Sequence, residues 1–183
     1  MSIKKFILKI FISENSPNGA SDFIATFNEF IVNSSIKDGL IDVADYTHMH
    51  NGLGALLTAH ESNWSFDEQY GKPGLMVVEK GFSDKNPKER FSGLLNEIIH
   101  ICKTLEQTPR HSGLKFDYNT ISFTLNDRSL TTSESDHSVS EVKSLFETII
   151  KDIYNSTNIS YEDNADPANR AGFSASIKGD LKS

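Results

Sequence analysis

The side chains best suited to chemistry crowd one stretch of the chain, Asp42-Val43-Ala44-Asp45-Tyr46-Thr47-His48-Met49-His50-Asn51-Gly52-Leu53-Gly54, followed shortly by His60-Glu61. Three of the six histidines fall between positions 48 and 60. Neutral imidazoles with a carboxylate suit Zn²⁺ or Fe²⁺, so His48, His50 and His60, with Asp42, Asp45 or Glu61, form a candidate metal-ligand set. The spacing matches no established zinc pattern: there is no His-Glu-x-x-His and no cysteine set.

Whether these groups meet depends on hairpin register. The alternation from Leu40 to Tyr46 reads as a strand, Asn51-Gly52 supplies turn residues, and a second strand returns from Ala55 to Glu61. Alternate strand residues share a face, so Asp42, Tyr46, His48 and His50 project together, while Asp45 projects with Val43 and Thr47. A two-residue turn at Asn51-Gly52 sets Glu61 opposite Asp42 and leaves His60 diagonal to Asp45. A three- or five-residue loop inverts the parity and brings His60 to the face of His48 and Asp42. The plainer arrangement keeps His48 and His50 in solvent at the tip, with His60 and Asp45 as a structural polar pair, and it is the preferred one.

Other chemistries find less support. No serine sits in a Gly-x-Ser-x-Gly elbow, and Gly71, Gly74 and Gly81 match no phosphate-binding loop, so they read as turn residues. Cys102 lies between Ile101 and Leu105 in an apolar helical pattern and reads as a buried hydrophobe. Trp64, Phe66 and Tyr70 stand in a polar segment, where they are either a ligand or partner surface or a cap on the core. Asp42, Asp45, Tyr46, Glu61, Trp64 and Tyr70 are accordingly the candidate ligand- or partner-contacting residues. His100, a helix residue, and His111, a loop residue, have no neighbours of interest, and His137 is placed near a helix start.

The chain that must position these residues has 183 of them, 25 acidic and 18 basic, with a formal charge of -7. Residues 1–112 carry 11 basic and 14 acidic side chains, so no basic arm is segregated and nucleic acid is not expected as a partner. No apolar run is long enough to span a membrane. The opening Lys4-Lys5-Phe6-Ile7-Leu8 has the flavour of a signal sequence, but Lys9 interrupts it, and a first β-strand is the better reading. A cytoplasmic location is expected.

Strands are predicted at residues 4–12, 40–46, 55–61 with an extension toward Phe66, and 75–79, then around Ile121-Phe123-Leu125, Ile159–Glu162 and Phe173–Ile177. Helices are predicted on the stripes Phe23, Ile24, Phe27, Phe30, Ile31 and Phe91, Leu94, Leu95, Ile98, Ile99, Cys102, Leu105, the latter capped by Asn86-Pro87. A third is signed by Ser138 and Glu141 in capping-box spacing. The order implies an α+β fold, a mainly antiparallel sheet with helices packed on it. It is built from pseudo-duplicated strand-helix-strand-strand units in a broadly ferredoxin-like manner. The chain reads as one compact domain, residues 1–183, with two similar halves at 1–108 and 113–183.

The run Asp42-Val43-Ala44-Asp45-Tyr46 with His48, Gly52 and Gly54, then His60-Glu61, Gly71-Lys72-Pro73-Gly74 and Ala165-Asp166-Pro167, resembles a family of bacterial α+β proteins of similar length that has no assigned activity. The resemblance implies a bacterial cytoplasmic protein and carries over no catalytic residue. Together these features suggest a non-catalytic binding or assembly module that meets a protein or small-molecule partner, or a second copy of itself. The alternative is a metal-binding protein or metal-dependent enzyme using the His-rich hairpin.

Overall fold

A computed structural model of the chain describes residues 5–13, 20–33, 36, 39–49, 52–81, 86–126, 132–155, 158–164 and 170–182. Its strands are β1 (Phe6–Ile12), β2 (Leu40–Tyr46), β3 (Gly54–Ala59), β4 (Ser62–Asp67), β5 (Gly74–Glu79), β6 (Phe116–Leu125), β7 (Asn158–Asp163) and β8 (Gly172–Lys178). Its α-helices are α1 (Ala20–Asn33), α2 (Pro87–Gln107) and α3 (Thr132–Ile153). The strands form one antiparallel sheet in the order β2-β3-β4-β5-β1-β6-β8-β7. The α+β class with helices packed on an antiparallel sheet is therefore what the chain adopts.

The two halves share a connection pattern but not a strand count: after its helix the first returns through four strands (β2–β5), the second through two (β7 and β8). A strand (β1 or β6) leads into a helix (α1 or α3), and the chain then returns from the sheet edge until its last strand (β5 or β8) pairs with the first. The last strand of each half begins with a glycine, Gly74 in β5 and Gly172 in β8. A Cβ on Gly74 would lie 2.4 Å from the Ile10 carbonyl oxygen, and one on Gly172 would lie 2.3 Å from that of Phe123. Only glycine permits these backbone approaches.

All three helices cover one side of the sheet. Phe23 of α1 stacks on Phe66 of β4 at 4.1 Å, Phe91 of α2 touches Phe6 of β1 and Phe123 of β6 at 5.5 and 5.8 Å, and Phe146 of α3 meets Phe173 of β8 at 5.8 Å. These rings belong to one hydrophobic cluster that also takes in Leu8, Ile10, Leu57, Trp64 and Val77. Each buried Phe contributes about 1.5–3 kcal/mol of transfer free energy. A buried ion pair, Glu79 Oε1 to Arg90 Nη1 at 3.0 Å, ties the end of β5 to the first turn of α2, where Asn86 accepts from the Glu89 N–H.

Three local expectations change. The return strand from Ala55 to Phe66 is two strands, β3 and β4, joined at His60-Glu61. The pairing of Ala55 with Phe66 flips the core-facing set from Ala55, Leu57 and Ala59 to Trp64 and Phe66. The turn carries no glycine, proline or asparagine to announce it. At the β2–β3 connection, Gly54 takes the positive φ of 59°, while Gly52 is needed for space, since a Cβ there would sit 2.8 Å from that of Met49. The Asn51 half of the expected turn lies outside the described residues, as does the turn at 166–169. Finally, α3 starts at Thr132 and not at Ser138, which is buried within the helix. The Ser138–Glu141 spacing is mid-helix, and Glu141 lies 3.7 Å from the exposed imidazole of His137 one turn earlier.

Gly74→Ala and Gly172→Ala should each lower stability by about 2–4 kcal/mol, because the new methyl meets backbone that cannot move aside. Gly93→Ala, in open space on α2, should raise it by about 0.5–1 kcal/mol. Urea midpoints of the three variants check this, and equal effects at all three positions would contradict the close-approach account.

Candidate functional site

The strand register defines what the other side of the sheet presents. Across all eight strands one row reads Ala44, Leu56, Ser65, Met76, Lys9, Ser122, Ser174, Glu162, and the next reads Asp42, Thr58, Asn63, Val78, Ile7, Thr124, Gly172. None of the three α-helices covers these rows. On β6 and β8 they carry the hydroxyls of Ser122, Thr124 and Ser174. Within β3, β5 and β1 they carry apolar groups around a charge.

That charge is Lys9. Its ammonium spans β5 to the Asp67 carboxylate on β4, in hydrogen-bond contact with Oδ2, and passes 5.4 Å from the Phe11 ring. The side chains of Lys9 and Asp67 are only 11% and 3% exposed. Burial on a side without helices means that the pair lies below its apolar neighbours. Desolvation lowers the Lys9 pKa from its ordinary value, outweighing the hydrogen bond and charge of Asp67, and Lys72 adds repulsion. On the same strand face, Asn63 Oδ1 and Asp67 Oδ1 are sealed from solvent and accept no hydrogen bond. Ser65, also buried, stands between them. Buried acceptors without a donor cost about 1–3 kcal/mol each and call for an explanation.

The residues singled out from sequence are dispersed. His48 sits exposed at the β2–β3 tip, its ring 6.5 Å from Tyr46, while His60 is exposed in the β3–β4 turn, its N–H bonded to the Gly39 carbonyl. The length of β3 separates them, about 20 Å at a rise of about 3.3 Å per residue. Asp42 pairs with Thr58 across a seven-residue connection, 47–53, so the register has the odd-loop parity, but β3 ends before His60 can use it. His50 lies outside the described residues. Among the described residues no group of three or more His, Cys, Asp or Glu is placed to hold a metal ion.

The two aspartates serve their own strand. Asp42 Oδ1 accepts from the Val43 N–H at 2.8 Å, and Asp45 Oδ1 accepts from the Thr47 N–H and hydroxyl at 2.8 and 2.6 Å. The Thr47 hydroxyl bond, then its N–H, holds the Asp45 carboxyl below its usual pKa. Asp45 therefore bonds Thr47, not His60. Tyr46 is half-buried on the side without helices. Glu61 is half-buried in the turn, its carbonyl accepting from the Lys80 N–H. Trp64 is fully buried on the helix side, with Nε1 donating to Ser62 Oγ at 3.0 Å, and Phe66 joins it in the core. Of the two readings of these aromatics, the core cap holds for both. Tyr70 lies in the short 3₁₀ turn Gln69–Gly71. Burial drives the Cys102 thiol far above its usual pKa, as its apolar setting implied.

Two residues were missed. Lys9 registers in the sequence only as an interruption of an apolar run, and that interruption is the signal for a charge inside a strand. His111, read as an isolated loop residue, is buried: its Nε2 lies 2.8 Å from Thr26 Oγ1 of α1, and its ring lies 4.6 Å from Phe23. The Thr26 hydroxyl is also 3.1 Å from the Asp22 carbonyl, and when it donates there it accepts from His111 as the Nε2–H tautomer. Desolvation lowers the His111 pKa, with Arg110 adding to it and Asp22 and Glu29 opposing.

Comparison with models of known protein families gives no match, and no curated protein sequence matches the chain.

Lys9→Met strands the Asp67 carboxylate and should cost about 3–5 kcal/mol, whereas Lys9→Met with Asp67→Leu should recover most of the loss. Additive losses in urea unfolding would deny the coupling. For His111, the folded pKa lies below the unfolded one, so the unfolded chain takes up the proton first as pH falls. Its contribution to stability is complete above about pH 6.5 and is lost as pH drops through the folded pKa. The urea midpoint should therefore fall between pH 7.5 and pH 5, and less so in His111→Asn.

Proposed function

We propose that this chain is a binding module whose ligand site surrounds the buried Lys9–Asp67 pair on the side of the sheet without helices. The observation that carries the reading is the pair of desolvated, unpartnered acceptors, Asn63 Oδ1 and Asp67 Oδ1, on one strand face beside a buried ammonium. Both oxygens are closed to solvent, so a ligand N–H that completes either one must enter between the apolar side chains on that face, Ile7, Phe11, Leu56, Met76 and Val78. The chemistry favours a small organic cation or amide: an N–H donor for the acceptors, attached to an apolar body. A carboxylate would meet the unpaired oxygen of Asp67 and be repelled.

Hexylamine and hexanoate, matched in apolar length, test this by thermal unfolding. Millimolar hexylamine should raise the melting temperature and hexanoate should not. Asn63→Leu removes an unsatisfied acceptor, so it should raise the baseline stability by about 1 kcal/mol while reducing the hexylamine response. Equal responses to the two compounds, or a destabilised Asn63→Leu protein with an undiminished response, would sink the proposal.

A further inference from the structure

We infer that two copies of this chain pair antiparallel through β7, about a twofold axis at Tyr161, to extend the sheet. The argument is independent of the ligand site and starts from the unequal treatment of the two sheet edges. At one edge, β2 has a register break between Leu40 and Asp42, and its Val43 N–H is taken by the Asp42 side chain. Just past its end, Asp45 takes the Thr47 N–H in the same way. Such devices close an edge against strand addition. At the other edge, β7 runs in unbroken register with β8 from Asn158 to Asp163, and no described strand lies beyond it.

The outward groups of β7 follow from one bond. Asn164 N–H donates to the Gly172 carbonyl at 3.1 Å, so even-numbered residues turn their peptide groups toward β8, and Ile159, Tyr161 and Asp163 turn theirs away. In an antiparallel self-pairing, outward residues face outward residues. The register that uses all three sets Tyr161 opposite Tyr161 of the second copy, and Ile159 opposite Asp163. On the side without helices, Ser160 then faces Glu162, a hydroxyl opposite a carboxylate, and no two like charges are directly opposed. Asp163 is already neutralised by Lys143 of α3, in contact with its Oδ1. On the helix side, the half-buried Tyr161 packs edge-on against Phe173 at 5.1 Å, with Lys143 Nζ 5.3 Å from its ring centre. The join would continue this aromatic cluster into the second copy. The occupant that fits β7 is thus β7 itself.

Sedimentation equilibrium of the full chain over a concentration series tests the inference. The expected mass is twice that of the chain at micromolar concentration. Ser160→Glu sets glutamate opposite Glu162 at two symmetry-related places and should weaken association by about tenfold. Ser160→Glu with Glu162→Lys restores opposite charges at both places and should bring association back. Ile159→Pro removes an outward N–H without touching the β8 ladder and should give a monomer. Circular dichroism confirms that each variant is folded. A wild type that stays monomeric at several hundred micromolar overturns the inference. So does a dimer indifferent to Ser160→Glu and Ile159→Pro, or one that the charge reversal fails to restore.

Discussion

The pairing of β1 with β6 holds the molecule together, because it is where two strand-helix units of separate origin in the chain become one sheet. Backbone bonds alone would leave that seam exposed to water on both sides. Phe6 and Phe123 meet across it at 6.0 Å, and Phe91 of α2 rests on both, so the linking helix is nailed over the junction by three rings. With α2 fixed there, α1 and α3 are carried to the same side by the right-handed geometry of their own units and complete the layer. The second side of the sheet is left without a helical cover as a consequence, not as an independent feature.

That one-sidedness explains why a charge in the central strand is tolerable. In β1 the core-facing positions are Phe6, Leu8 and Ile10, and Lys9 between them is directed to the opposite side. There it could have extended into water. Instead it lies down across β5 to Asp67, at the cost of desolvation that its lowered pKa records. Gly74 occupies the β5 position between Phe11 and Asp67, where a Cβ would collide with the β1 backbone. A buried ion pair is seldom the most stable solution for a strand position; two aliphatic side chains would serve stability at least as well. Here the pair stands beside two unpaired acceptors on β4, so this part of the sheet carries polar groups that cost stability.

Much of the architecture was legible in the chain because period-two and period-3.6 apolar patterns dominate it. The Phe91–Leu105 stripe and the Asn86-Pro87 cap locate α2 almost to the residue, and the alternation of Ile121, Phe123 and Leu125 gives the face of β6. Two of the failures depended on contacts with residues distant in sequence, and the placement of Trp64 on strand parity. The β3–β4 turn at His60-Glu61 lacks turn residues and is held by Gly39 and Lys80. Trp64 stands among polar neighbours, yet strand parity sends them to the other face. His111 is buried against α1, where Thr26, 85 positions earlier, bonds it and Phe23 covers its ring. Titratable residues in the β2–β3 ribbon drew attention by their density, but density along a strand does not bring its two ends together.

The same aspartates that suggested a metal site have a structural use that composition could not disclose. An edge strand carries outward N–H groups whose side chains are free to turn back on them, and aspartate is short enough to reach the next peptide or the one after it. Asp42 and Asp45 do this on and just beyond β2, adding negative charge where another strand would have to approach. Strand β7 has the material to do likewise, with Glu162 and Asp163 at its end, and does not: Asp163 is drawn to Lys143 on α3, away from the peptide groups of its own edge. One edge spends its carboxylates on closure and the other leaves its peptide groups available. That difference between two edges of a single sheet is a structural asymmetry, and pairing of β7 with its copy would resolve it.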